Sequence, residues 1–359
     1  MRAPFVHDVP ASRVVFGCGS IAQVGAEVDR LGAARVLLVA SGRHAAALAA
    51  QLGERIVGQF SDVVMHVPVE AARRAAAEAT AVGADLLVAV GGGSAVGTAK
   101  AVARETGLPI LAVPTTYAGS EMTPIWGLTE NGSKTTGRDP AVLPRTVVYD
   151  PELTISMPAA LSAASGMNAL AHLVEGLYAP NVSPLLAAQA LEGVRALVSA
   201  LPRVVADPAD LDARSDALYG AWLAGWILGV CGMGVHHKVC HTLGGTYDLP
   251  HAPAHSAVLA YATQFNQDHA PEAMASLVGA FAAAGRPADD APSAVWQLAS
   301  DLGAPVSLRS LGFDEACIPE AAGIVVDGRP VNPRPVDVDG VRALLAAEYA
   351  GAPPSGRLG

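Results

Sequence analysis

The sequence predicts two successive folding units: an α/β unit built on a parallel sheet over residues 1–157, and an all-α unit over residues 158–359. Three observations carry that expectation. The first half alternates short apolar runs with amphipathic stretches, the pattern of strands joined by crossover helices. From about Pro158 onward, apolar residues recur at helical spacing with much alanine and leucine, and Gly323-Ile-Val-Val326 is the one strand-like run left. The length of 359 residues exceeds the ordinary size of a single core, and with 51% hydrophobic residues each half can have its own.

Taken in order, residues 13–16 form a β-branched run that ends in Gly17 and Gly19, and Ser20 is the expected cap of a helix over 21–31. Residues 35–39 are continuously apolar, as a strand buried on both faces requires, and Ala40, Ser41 and Gly42 lead into a helix to Leu52. A third strand is expected over 62–67, a helix over 70–82 and a fourth strand over 85–90. That strand runs into Gly91-Gly-Gly-Ser-Ala-Val-Gly-Thr98. Here glycines let backbone approach a ligand, and Ser94 opens a helix whose N-terminus attracts phosphate. The spacing is not GxGxxG, and the glycines follow the fourth strand instead of the first, so a tight structural turn competes with a pyrophosphate site. The next strand, 108–113, ends in Pro114, Thr115, Thr116 and Tyr117, which puts hydroxyl groups at a strand's carboxyl end. Ligands bind open α/β sheets there, so a Rossmann-like nucleotide-binding unit is the better reading. A polar insertion (131–139) and a strand (145–149) complete the first unit. The boundary falls near residues 154–162, and only the 351–356 tail looks loose.

Composition excludes several functions. A net charge of −10 without a lysine- or arginine-rich block argues against nucleic acid and anionic membrane as partners. Four scattered cysteines without a CxxC argue for reduced thiols in a cytoplasm, against a disulfide framework and against a zinc-thiolate site. The first residues lack a signal peptide's apolar core, and no apolar run long enough to span a bilayer is free of glycine, proline and charge.

Residues 232–251 hold four of the ten histidines: His236, His237, His241 and His251. His237 and His241 share a helical face, the pair Gly244 and Gly245 is expected to end that helix, and His251 follows the turn. Upstream, Asn168 and His172 stand one helical turn apart among apolar residues. A lone histidine in such a helix is ordinarily a core side chain bonded to a carbonyl. Several together need more partners than apolar helices supply, so one shared site explains the set better.

The glycine turn, the Pro114-Thr-Thr segment, the Asn168/His172 helix and the histidine segment together resemble the iron-containing alcohol dehydrogenase superfamily over essentially the whole chain. Within it the chain is most similar to the maleylacetate reductases. The carrying motifs are His66-Val-Pro-Val-Glu70, Lys134-Thr-Thr-Gly-Arg-Asp139, Leu143-Pro-Arg-Thr-Val-Val-Tyr-Asp150, His236-His-Lys-Val-Cys-His241 and Asn332-Pro-Arg-Pro335. The resemblance implies the dehydroquinate synthase-like architecture: a nicotinamide-binding α/β domain, a helical catalytic domain and a cleft between them. It implies cofactor contacts at Ser41, Gly91, Gly92, Gly93, Ser94, Thr98, Thr115 and Thr116.

In metal-dependent relatives an aspartate and three histidines hold the ion, and those positions fall on Asn168, His172, His237 and His251. Asparagine offers a neutral oxygen where the metal enzymes have a full charge, so no metal is expected here. The imidazoles and Lys238 are then expected to form a local positive pocket for a small dicarboxylate. The reaction implied is reduction of the conjugated double bond of maleylacetate to 3-oxoadipate. His172, His237, His241 and His251 are the expected catalytic residues. Tyr117, Lys134, Arg138, Asn168, His236 and Lys238 are the expected substrate contacts. Ser41, where many NAD-preferring relatives carry an acidic residue, leaves both NADH and NADPH open, and Arg43 nearby suits a 2′-phosphate. A homodimer is implied, with residues 5–16 as a plausible contact. The alternatives are a metal-dependent alcohol or aldehyde dehydrogenase, a reductase of a related oxo-acid in biosynthesis, a dehydroquinate-synthase-like lyase, and a nucleotide-binding protein without catalysis.

Overall fold

A computed structural model describes residues 7, 9–10, 12–64, 67–130 and 133–358, except for the side chains of Arg43, Ser133 and Lys134. The chain divides into two compact units. One is Val9–Met157, and the other is Pro158–Gly359, with which His7 also groups through a 3.0 Å hydrogen bond to Ser183.

The first unit is a six-stranded parallel sheet. In chain order its strands and helices are β1 (Arg13–Phe16), α1 (Val24–Arg30), β2 (Val36–Ala40), α2 (Arg43–Leu52), β3 (Ile56–Phe60), α3 (Val69–Ala81), β4 (Leu86–Gly91), α4 (Gly93–Thr106) and β5 (Ile110–Pro114). A hairpin of β6 (Ile125–Glu130) and β7 (Ser133–Arg138) and the strand β8 (Thr146–Tyr149) follow. The strand order is β1-β8-β5-β4-β2-β3. β2 and β5 are buried along their whole length, and β4 over all but its last residue, which is why their sequences are unbroken apolar runs. One sheet face, with Leu38, Val88 and Leu111, packs on Val24 and Val28 of α1 and Leu48 of α2. Each such side chain contributes roughly 1.5–3 kcal/mol by leaving water.

Three expectations about this unit need correction. The third strand is Ile56–Phe60, whereas residues 62–64 have no regular structure and Met65 and His66 lie outside the described residues. Gly58 and Gln59 mask it in the sequence, and the glycine sits in a tight place, because a Cβ there would stand 3.0 Å from Leu37 Cδ1. The polar insertion lies within the β6–β7 hairpin, in which Gly137 opposes Trp126 and leaves room for its indole ring. Ser20 is not a cap. Its hydroxyl donates to the Tyr149 carbonyl at 2.8 Å, and Asp150, remote in sequence, accepts the N–H groups of Gly19 and Ile21 at 3.1 and 3.0 Å.

The second unit is all helix: α5 (Ala159–Leu177), α6 (Pro184–Ala206), α7 (Leu211–Val230), α8 (Val235–Tyr247), α9 (His251–Asn266), α10 (Pro271–Ala283), α11 (Ala291–Asp301), α12 (Ile318–Asp327) and α13 (Val338–Ala350). α5 is buried nearly all round by α6, α7 and α9. Gly176 of α5 permits that approach, since a Cβ there would fall 2.1 Å from Ile227. α6 is long and apolar enough to cross a membrane, but it carries Glu192 and Arg195 as an ion pair, and half of its most apolar window is buried in the bundle. Gly323 to Val326 are helical, within α12. Gly244 and Gly245 lie inside α8, which ends only at Tyr247, where Asp248 takes the left-handed conformation (φ 56°). The 351–356 tail has no regular structure but is tied down: Tyr261 donates to the Ala352 carbonyl at 2.9 Å, and Gln264 to the Ser355 carbonyl at 3.1 Å.

Candidate active site

Two regions carry chemistry, one in each unit. In the sheet unit β4 ends at Gly91 (φ 144°), and Gly92 precedes α4 with no side chain capping the helix. A Cβ on Gly92 would come within 3.1–3.2 Å of the Thr116 side chain, so the turn packs closely there. The backbone donors of an uncapped helix start attract an anion. They border a cavity of about 340 Å³ lined by Ser41, His44, Val63, Gly91 to Ala95 and Thr115. These residues fit the pyrophosphate of a dinucleotide. The structure brings Ser41, Gly91, Gly92, Gly93, Ser94 and Thr115 together, with Thr116 against Gly92. Thr98 does not join them: its hydroxyl donates back to the Ser94 carbonyl at 2.9 Å inside α4. His44 was missed, although it sits in the first turn of the helix that follows Ser41.

Tyr117 and Arg138 also belong to the sheet unit. Tyr117, the expected carboxylate contact, is completely buried. Arg138 is exposed at the end of β7, and the side chain of Lys134 lies outside the described residues.

In the helical unit α5, α8 and α9 bring six imidazoles together. His172 of α5 stacks on His237 of α8 with ring centroids 5.0 Å apart, and His241 lies 6.2 Å from His237. His255 of α9 lies 4.9 Å from both His236 and His237 and 4.4 Å from His251. A hydrogen bond of 2.9 Å joins His236 Nε2 to His255 Nδ1. Asn168, His172, His236, His237 and His255 are buried, while His241 and His251 are exposed. Lys238 leaves the group, because its side chain lies against Gly328.

Two members of the cluster were missed. Glu175 and His255 follow His172 and His251 by one helical turn, so the spacing rule that paired Asn168 with His172 reaches both. Glu175 is fully buried: its Oε1 accepts the His236 N–H at 2.9 Å, and its Oε2 lies on His237 Nδ1.

Burial sets the charge state. It lowers His237 to about 3, and it holds His172, His236 and His255 well below the ordinary imidazole range, with neighbouring histidines adding to the effect. Burial also raises Glu175 to about 8, against the opposing pull of backbone N–H groups. The expected positive pocket is therefore corrected: at neutral pH the buried rings are neutral, because the low-dielectric surroundings penalise the charged form. Among the described residues Asn168 Oδ1, His172 Nδ1 and His237 Nε2 have no hydrogen-bond partner. Such buried edges are costly unless something binds them.

Residues 11–151 match the family described as iron-containing alcohol dehydrogenase, and residues 162–349 match the C-terminal region of the Fe-containing alcohol dehydrogenase family. The chain belongs to the iron-containing alcohol dehydrogenase family. The maleylacetate reductase of Sphingobium indicum is 50% identical over 98% of this chain and 99% of that protein. That of Burkholderia cepacia is 48% identical over the same shares. The crystal structure of maleylacetate reductase from Rhizobium sp. strain MTP-10005 superposes with a TM-score of 0.93 at 44% identity, covering 98% of this chain and 100% of that one. The two-part fold expected from the sequence is the fold of this family, and an oxidoreductase replaces the lyase and the non-catalytic binder among the readings.

The name of the iron-containing alcohol dehydrogenase family implies iron, and the residues at the corresponding positions do not fit it. Asn168 is neutral, and so are His172 and His237, which leaves a dication without a charged ligand. Glu175, the nearby carboxyl, is committed to the start of α8 and to the His237 ring. Among the described residues the histidines whose ligand atoms lie within 4.8 Å of one another are His236, His237 and His255, a different set. In that set a hydrogen bond already joins His236 Nε2 to His255 Nδ1.

Proposed function

We propose that the chain reduces the conjugated double bond of maleylacetate to give 3-oxoadipate, using NADH or NADPH and no metal, in the degradation of aromatic compounds after ring cleavage. The named relatives support the substrate. The observation that carries the mechanism is Asn168, a buried amide with an unpartnered oxygen one helical turn before His172 on α5, where a metal enzyme needs charge.

The reduced nicotinamide, when bound, supplies a hydride. Addition beside one carboxylate moves the π electrons onto the ketone oxygen as an enolate, and a proton then adds to the neighbouring carbon. His172 and His237, stacked and neutral, offer fixed N–H groups to that oxygen, and a donor of this kind gains strength as the negative charge grows in a dry site. The exposed His241 and His251 are the proposed contacts for the carboxylates and the source of the proton. The same reading makes the protein a cytoplasmic homodimer.

The test follows NADH loss with maleylacetate, with and without EDTA. Turnover unchanged by the chelator is expected, whereas activity lost in EDTA and restored by iron or zinc would move the assignment to a metal-dependent dehydrogenase. With NADPH in the same assay, kcat/KM should lie within about tenfold of the NADH value, because no acidic side chain stands at Ser41.

A further inference from the structure

Glu175 has no part in the reaction as proposed, yet it is tied to two features of the site at once. α8 begins at Val235 behind Gly234, which has no side chain to cap it. The Glu175 carboxyl, reaching over from α5, receives the backbone N–H groups of Gly234, His236 and His237. Asn332, in the motif noted from the sequence, accepts the Val235 N–H at 3.3 Å and pairs reciprocally with Asn266 at 2.7 and 3.2 Å. Gly234 leaves room for both caps, since a Cβ there would stand 2.8 Å from Asn332 Oδ1 and 3.1 Å from Glu175 Oε1. The two caps differ in one respect. Asn332 holds only backbone and another amide, whereas the second oxygen of Glu175 lies on His237 Nδ1.

We propose, resting on the reduction described above, that Glu175 is a positioning residue: its acid O–H donates to His237 Nδ1, so that the ring carries its proton on Nε2 and presents a fixed donor to the forming enolate. A ring nitrogen can donate or accept but not both, so the partner on Nδ1 decides what Nε2 offers. The forming enolate needs a donor on Nε2, so Nδ1 must accept, and the group that lies on Nδ1 is Oε2 of Glu175. The unpartnered Nε2 is the edge so prepared. Glutamine reproduces this arrangement: its carbonyl oxygen accepts the N–H groups of α8 and its amide donates to Nδ1.

The experiment compares wild type, Glu175→Gln, Glu175→Leu and Asn332→Ala by kcat, KM for maleylacetate and for NADH, thermal midpoint and the ¹⁵N shifts of the His237 ring. Glu175→Gln should keep kcat within about threefold, and Glu175→Leu should lose about 100-fold or more in kcat with little change in KM for NADH, as when an orienting partner of a catalytic histidine is removed. Asn332→Ala should lower the thermal midpoint and leave kcat and the ring shifts near wild type. The wild-type ¹⁵N shifts should show a protonated Nε2 and an unprotonated Nδ1. The reverse pattern, or Glu175→Gln as impaired as Glu175→Leu, overturns the inference, and so does a fully active Glu175→Leu. The ring shifts need no substrate and no leucine variant, so they decide even if that variant does not fold. Wild-type protein that fails to reduce maleylacetate defeats the functional reading instead, whatever the shifts show.

Discussion

Both units bury a cluster of ionisable groups, and the two clusters are finished differently. In the sheet unit Lys100 of α4 is buried with its ammonium on four oxygens: the carbonyls of Ser120, Thr123 and Ile125 at 2.5, 2.7 and 2.8 Å, and the Thr123 hydroxyl at 3.0 Å. Beside it Tyr149 donates to Glu121 at 2.7 Å. In the helical unit the edges of Asn168, His172, His236, His237 and His255 include atoms with no partner among the described residues. A satisfied buried network fixes a segment in place, here the stretch after β5. An unsatisfied one of equal burial stores a cost that a bound molecule relieves. The first cluster is a finished part of the fold, and the second is the one to which the proposed reaction is assigned.

The strongest way to break this contrast is Lys100→Met, which leaves three carbonyl groups without a donor. It should cost roughly 3–5 kcal/mol of stability in a denaturant titration, as for a buried pair that loses one partner, while folded protein keeps its kcat. A stable variant with lost turnover would place Lys100 in the reaction. His237→Ala should do the reverse, lowering kcat about 100- to 1,000-fold, the cost of one oxyanion donor, with NADH affinity by fluorescence titration nearly unchanged. His251→Ala should follow it, and near-wild-type rates in both would show the cluster to be structural. Asn168→Asp sharpens the contrast by restoring a charge. It should raise the zinc or iron retained after dialysis at least about tenfold and depress reductase turnover. Equal retention by wild type and variant would contradict the charge argument.

The smallest expected effect concerns pH. His172, His236, His237 and His255 have folded pKa values below 6.5, so they bind fewer protons folded than unfolded, and their stabilisation is present above 6.5 and lost as pH falls, toward about 3 for His237. Glu175 is raised from 4.5 to about 8, so the fold holds the extra proton in that window and loses stability as pH rises through it. Between 4.5 and 6.5 the two trends oppose. The thermal midpoint should therefore climb with pH up to roughly 6.5 and decline from there to about 8, with the decline weaker in Glu175→Gln. A midpoint that keeps rising through that window would contradict the assignment.

The central strands and the long helices were legible because burial on both faces writes an unbroken apolar run and burial on one face writes a 3.6-residue period. β3 was not, because Gly58 is there for Leu37 and Val82 and carries no strand signal of its own. The hairpin was hidden for a similar reason: Gly137 yields its space to Trp126, and its other residues are polar. Asn168, His172, His237, His241 and His251 were found by spacing, and Glu175 and His255 follow the same rule. Charge state was not legible. The same imidazoles make a cationic pocket in water and a neutral one in a core, and only the packing of α5, α8 and α9 decides between them. Caps supplied from a distance, Asp150 for the first helical turn and Glu175 for α8, likewise need the fold before they can be seen.

In the proposed reaction neutral hydrogen-bond donors do what an ion does in metal-dependent members of the family. Maleylacetate turnover measured across preparations of graded metal content, with iron and zinc per chain determined on the same samples, tests it directly. A rate independent of metal content, persisting in preparations with almost none, is the predicted result. A rate proportional to bound metal, extrapolating to zero in its absence, would contradict the account.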